Sequence, residues 1–253
     1  MAGRIFLVNV GANASHPYAS PLFDDGAFEL LPVPERSHAG HHCLTFRDLR
    51  SFYRPGQDLL RYVPQRLWDA PVHYDPEFET FTYGDHCDTS PRAAALRGVK
   101  AGDYLLFLAR LVHHDTGKPG FYLVGYLEVE QVFASIVGVP PAPALARIGR
   151  NAHVRRAQGT PQGPDLSWVF AGSRRSRRLE RAVPLDRELA TLLLRDAQGR
   201  PWEWPAHRSP LQVIGSYTRS CRCVLDPDRP GDGERLRVLW QKLGISRVLR
   251  GAK

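Results

Sequence analysis

"GDYLLFLARLVHHDTGKPGFYLVGYLEVEQVF", residues 102–133, decides how this chain is read. Two long runs of aliphatic and aromatic residues flank "HHDTGKPG", whose Asp, Thr, Gly and Pro carry the chemistry of a tight connection. The pattern predicts that the 103–112 and 120–133 segments pair as adjacent antiparallel strands. Upstream, the apolar run from Ile5 to Val8 reads as a first strand, and "AFELLPVP" reads as a second strand leaving the "DDG" turn. "FETFTYG" alternates as a strand does, and "LSWVFAG" reads as a short one. "SPRAAALRGV" predicts a helix, with Ser90 as N-cap, Pro91 at the first helical position and Gly98 as the stop. "PLDRELATLLLRD" and "DGERLRVLWQKLG", the latter ending at Gly244, predict two more. "PGQDLLRYVPQRLW" has room for a short helix between its prolines, and "ARIGRNAHVRRAQGTPQGPD" reads as a polar loop. The expected class is α+β, with a strand-rich central mixed sheet and a few flanking helices.

The 253 residues suit one large domain or two small ones, and the 43% apolar content is enough for a sizeable core. No apolar stretch reaches the roughly 18 residues that a membrane span requires. The N-terminus has no apolar segment followed by a small-residue cleavage site, so it does not read as a signal peptide. The cysteines are only four, and Cys221 and Cys223 stand too close to bridge readily, so reduced thiols and a cytoplasmic location are expected.

The formal charge is +8, and it is concentrated. Between Arg147 and Arg181 stand nine arginines against Asp165 and Glu180, a net +7. Arginine in place of lysine suits phosphate or carboxylate, which its planar fork of donors matches. A solvated basic face is the simplest alternative; the clustering points to a polyanion such as DNA or RNA. Four arginines, Arg174, Arg175, Arg177 and Arg178, fall within five positions. At a helix start they would fan around the axis towards a phosphate backbone, with Arg155 and Arg156 extending the stripe.

The first strand ends among short polar side chains. Asn9, Asn13, Ser15 and His16, with Gly11 allowing a close turn, have the donors and acceptors that reading a base edge demands. The other reading is a set of turn caps. Asp24 and Asp25 precede Gly26, a preferred turn pair, but Asp25 can also serve as a general base with Asp24 beside it in the pocket. "YGDHCD" crowds Asp85, His86, Cys87 and Asp88 together, of which Asp85 and His86 are the acid–base candidates. Trp168, Tyr83 and Phe81 offer stacking faces, although such residues more often build cores.

Several classes are excluded. No lysine followed by Ser or Thr comes after the glycines, as a P-loop needs, and the three-glycine dinucleotide fingerprint is missing. His41, His42 and Cys43, His86 and Cys87, and His113, His114 and Asp115 are small groups of possible ligands. None has zinc-finger, HExxH or deaminase spacing, so metal binding stays open without a motif to support it, and the cofactor is undetermined from sequence.

Taken together, "VNVGANASH", "SPLFDDGAFELLPVPE", "FTYGD", the 102–133 pair, "NAHVRR" and "FAGSRRSRRLERAVPL" resemble the third of the nucleotide modification associated domain families. The resemblance implies recognition of, or action on, modified bases in DNA; it implies no particular reaction. It also implies one domain over 1–253, with core blocks over about 4–185 and a C-terminal helical extension over about 184–253. A second likeness is to PUA-like and EVE β-barrels, where a helix leads into "GD" and a long strand, and it implies a barrel with a cleft for a flipped base. The resulting expectation is a nucleic-acid-directed protein of base hypermodification systems, with no membrane partner. Two alternatives stay open: an enzyme on free nucleotides, and a basic module that docks on an acidic protein.

Overall fold

The computed structural model describes residues 3–35, 44–159, 166–196 and 198–245. In chain order the strands are β1 (Ile5–Val10), β2 (Ser20–Leu22), β3 (Val33–Pro34), β4 (Val72–His73) and β5 (Thr82–Asp85), then β6 (Tyr104–His113), β7 (Pro119–Ile136), β8 (Ser167–Gly172), β9 (Arg177–Pro184) and β10 (Arg222–Leu225). The helices are α1 (Ala142–Ile148), α2 (Ala152–Gly159), α3 (Arg187–Leu193), α4 (Pro210–Tyr217) and α5 (Asp232–Lys242).

The β6–β7 hairpin forms as expected and is the spine of the molecule. β1 lies parallel to β6 along its whole length, and β2 continues that pairing beyond it. Among the described residues eight strands make one mixed sheet, ordered β10-β1-β6-β7-β8-β5, with β2 also on β6 and β9 also on β7. β10 and β5 end this order without meeting, so the fold is α+β with an open sheet, and the PUA-like barrel is not formed. β7 is long enough to serve two partners on one side. Its first half pairs with β9 and its second half with β8.

Period-2 alternation sorts the sheet's side chains into two cores. Ile5, Leu7, Leu106 and Leu108 point to one face, where α3, α4 and α5 supply Leu189, Leu193, Ile214, Tyr217, Leu239 and Trp240. Trp240 sits edge-on to Tyr104 and Tyr126, with ring centroids 4.9 and 5.5 Å away. Phe6, Val8, Leu105, Phe107 and Phe170 point to the other face. A bulge in the ladder, where Phe107 opposes Gly125 and Leu108 opposes Leu123, flips the alternation in β7, so Tyr126 joins the first core and Leu127 the second. The helices start where their caps dictate: the Asp186 carboxylate accepts from Leu189 N, and Ser209 with Gln212 forms a capping box ahead of Pro210.

Four expectations are corrected. Residues 94–98 form a 3-10 turn and not an α-helix: Ala93 N donates to Ser90 O, Leu96 N to Ala93 O and Val99 N to Leu96 O, a run of i→i+3 bonds that buries Ala93 and Leu96. "AFELLPVP" contributes a bridge at Phe28 and the two residues of β3 instead of a full strand. The "loop" at 146–165 holds the end of α1 and all of α2, packed through Ile148 and Val154 against Val169 and Ala171 of β8. The arginines at 174–178 do not begin a helix; they lie in a turn and at the start of β9, which hydrogen-bonds to β7.

Candidate functional site

Glu35, residues 73–86 and residues 151–156 gather a polar cluster around β4, β5 and α2. Alternation along "HYD" puts His73 and Asp75 on one face and Tyr74 on the other. β5 carries Gly84, and α2 brings His153 and Arg156 onto the same point. The glycine is required there: a Cβ on residue 84 would lie 2.5 Å from His153 Cδ2 and 2.9 Å from Asn151 Oδ1. Its N–H donates to Asp75 Oδ2 at 2.7 Å.

Asp75 is the centre of the cluster, with its side chain 1% exposed. Nε2 of His73 and Nε2 of His153 each lie 3.9 Å from its Oδ2, and Asn151 Nδ2 lies 3.4 Å from its Oδ1. Burial, more than any neighbouring charge, drives its pKa well above the usual carboxylate range. The imidazoles are oriented by outer partners. His73 Nδ1 is 3.2 Å from the Glu35 carboxylate, and His86 Nδ1 is 3.0 Å from the Leu166 carbonyl. Both oxygens only accept, so both rings turn Nε2 inward. Arg156 binds Glu35 at 2.9 Å and reaches His153 Nδ1 at 3.0 Å and His86 Nε2 at 3.4 Å. The His153 ring stands edge-on to both His73 and His86, with centroids 4.8 Å apart in each case. Three imidazoles, two carboxylates and a guanidinium thus share one interior site. Beside it, Glu35, Leu44, Val72, Tyr74, Arg150 and Arg155 line a shallow recess.

Of the residues singled out from sequence, His86 and Arg156 belong to this cluster, and Arg155 lines the recess. Asp85 is buried next door. It accepts from Tyr83 Oη at 2.8 Å and from His86 N at 2.8 Å, and Arg92 lies 3.8 Å away. Arg92 also donates to the Asn9 carbonyl at 2.8 Å, which links Asn9 to Asp85, while the Asn9 side chain donates to Thr218 at 3.1 Å. Tyr83 is a core residue, and burial pushes both its hydroxyl and the Cys87 thiol up, which leaves Cys87 a poor nucleophile.

The remaining pocket candidates are held in local turns. Asn13 Oδ1 accepts from Ser15 N and Ser15 Oγ and contacts His16 Nδ1, all on exposed chain. Gly11 has φ +74° and passes against Leu30. Asp25 Oδ1 accepts from Ala27 N at 3.0 Å, with Arg54 at 3.7 Å, and Asp24 faces His113 at 3.2 Å. His41, His42 and Cys43 lie outside the described residues.

The arginine stripe divides. Arg174 and Arg177 are exposed. Arg175 pairs with Glu128 at 2.8 Å and keeps most of its surface in water. Arg178 turns inward to Glu29 at 3.2 Å and stacks over Phe52, so its guanidinium is withdrawn from any phosphate-facing surface. Sequence reading missed His73, Asp75, His153, Asn151 and Glu35; the available signal was the i, i+2 spacing of His73 and Asp75 and the histidine within "NAHVRR".

Fold and site together define an α+β protein with an open mixed sheet and a buried histidine–carboxylate–arginine cluster rimmed by arginines. The model of the family nucleotide modification associated domain 3 matches residues 4–206, four-fifths of the chain, and the chain belongs to that family. Membership places it among proteins of nucleotide modification. No curated protein and no solved structure matches the chain. Among the described residues, no helix is long and apolar enough to cross a membrane.

Proposed function

We propose that this protein processes a modified nucleotide within DNA, presenting the base at the cluster of His73, Asp75, His86, His153 and Arg156 and gripping the flanking phosphates with arginines. The observation that carries the reading is the junction of recess and cluster. Glu35 lines the recess and also binds His73 and Arg156, so a group held between Arg150 and Arg155 meets the carboxylate that orients the cluster. The cluster has the ingredients of proton transfer: imidazoles with oriented rings, a buried carboxyl and a fixed cation.

Arg150 pairs at the surface with Glu79, and an exposed pair of that kind is worth about 1 kcal/mol or less, so it yields readily to a phosphate. Arg174 and Arg177 provide further exposed donors. Asp85 supports the site from behind by holding the His86 backbone, with Arg92 and Asn9 beyond it. Asn13 and Ser15 bond each other within their turn, and Asp24 and Asp25 face His113 and Arg54, so none of them has a part in this reaction.

Fluorescence-anisotropy titrations with a mononucleotide and with oligonucleotides of increasing length test this reading. Affinity that rises with length supports action on a polymer. Equal affinity for mononucleotide and oligomer identifies a free-nucleotide enzyme instead, and no binding of either leaves the basic face to an acidic protein.

A further inference from the structure

We propose that His73, Asp75 and His153 form a binding site for a divalent first-row transition metal ion. One ligand atom from each residue lies within 4.8 Å of the other two, and the side chains are 20%, 1% and 3% exposed. The two 3.9 Å separations are too long for hydrogen bonds, so these groups converge without satisfying one another. Ligands held about 2.0–2.2 Å from a common ion stand roughly 3.0–3.5 Å apart. The two imidazoles therefore each close on Asp75 by about 0.4–0.9 Å from 3.9 Å, and any pair near the 4.8 Å limit closes by about 1.3–1.8 Å.

A second observation is the outer shell. His73 gives its Nδ1 to the Glu35 carboxylate, which leaves the Nε2 lone pair aimed at Asp75, the arrangement that orients metal-binding histidines. Asp75 is itself fixed by Gly84 N and Asn151 Nδ2. At His153 the contact with Arg156 has to change. Arg156 donates to its Nδ1, which puts the ring proton on Nε2. Coordination through Nε2 moves that proton to Nδ1, and the Arg156 guanidinium must then turn away from the ring about its bond to Glu35. Two imidazoles and one carboxylate, without a thiolate, suit Zn²⁺, Fe²⁺ or Mn²⁺ and leave coordination positions open for water or substrate. The ion's use in catalysis rests on the nucleotide reading above; its binding does not.

The test strips the full-length protein with a chelator and titrates it with Zn²⁺, Mn²⁺ and, anaerobically, Fe²⁺ by calorimetry. Co²⁺ serves as a spectroscopic probe. One ion per chain is expected, with a Co²⁺ spectrum of nitrogen and oxygen ligation. His73→Gln, Asp75→Asn and His153→Gln should each weaken binding by about 100-fold or more, the upper end of what losing even an outer-shell partner costs. Asp24→Asn with His113→Gln, at the exposed hairpin group of Asp24, His113 and Asp115, should leave binding unchanged. Circular dichroism and urea midpoints in chelator show whether the variants fold; should one unfold, the wild-type stoichiometry and Co²⁺ spectrum decide. No saturable binding of any ion, or binding lost in the hairpin variant and kept in Asp75→Asn, overturns the proposal. Oligonucleotide affinity measured in chelator separates the two claims, because it can persist when the metal claim fails.

Discussion

Replacing Arg178 by Ala should unfold more of this protein than replacing any other arginine of the 174–178 run. Its guanidinium lies 3.2 Å from Glu29 and 3.2 Å from the Phe28 carbonyl, and 4.2, 5.0 and 5.1 Å from the ring centres of Phe52, Tyr53 and Phe28. Both side chains of the pair are nearly inaccessible, 6% and 2% exposed. Glu29 also accepts from Ser51 Oγ, Phe52 N and Tyr53 N, so this one carboxylate ties the 51–53 loop to β9. Removing one partner of a buried pair strands the other charge and costs about 3–5 kcal/mol. At about 2–4 °C per kcal/mol for a chain of this size, that lowers Tm by roughly 6–20 °C. Arg174→Ala, on the surface, should stay within about 0.5 kcal/mol. Urea unfolding followed by tryptophan fluorescence measures both, and the Glu29→Gln, Arg178→Met double variant should lose less than the sum of its singles. If Arg178→Ala keeps the wild-type midpoint and loses DNA binding, Arg178 is a phosphate clamp and the burial argument fails.

Gly84→Ala drives a methyl group into His153 and Asn151; it should cost about 1–3 kcal/mol and reduce ligand binding at the cluster, measured by urea midpoint and titration. Truncation after residue 206 removes β10, α4 and α5 and bares Ile5, Leu7 and Leu106, so the fragment should lack cooperative unfolding by calorimetry although the family match ends there. Burial, the leading cause at both groups, raises the Cys221 thiol from 9.0 to about 12 and the Tyr53 hydroxyl from 10.0 to about 12. The folded chain therefore holds these protons longer than the unfolded one. Their stabilisation is complete below about pH 9 and is lost as pH rises towards 12, which urea midpoints from pH 8 to 11 should trace.

The legible parts of the fold were the local ones. The β6–β7 hairpin, β8, α3 and α5 each carry their pattern within a dozen or so residues, and the turn or cap lies beside them. The parallel β1–β6 pairing joins residues about a hundred positions apart, and nothing in either strand names its partner. α2 went unread because the apolar side chains it buries are only the small Ala152 and Val154, and its polar residues resemble a loop's. The 174–178 arginines suggested a charged helix face, but the core position of Leu179 and the ladder to β7 impose extended chain. The cluster was hidden for the same reason as β1–β6. Glu35, His73, Asp75, His86 and His153 come from four separate segments, and close packing at Gly84 assembles them. Of these, His86 was visible because it stands beside Asp85 and Cys87.

The salt dependence of oligonucleotide binding, compared between wild type and the Arg150→Ala, Arg155→Ala double variant, tests the central claim most directly. For contacts from Arg150, Arg155, Arg174 and Arg177 the slope of log K against log salt should be about −3 to −4 on duplex DNA, at roughly −0.9 per phosphate neutralised. The double variant should lose about 2 from that slope and leave the urea midpoint nearly unchanged. A slope near zero for the wild type, or an identical slope for the variant, contradicts a phosphate grip at the mouth of the histidine cluster.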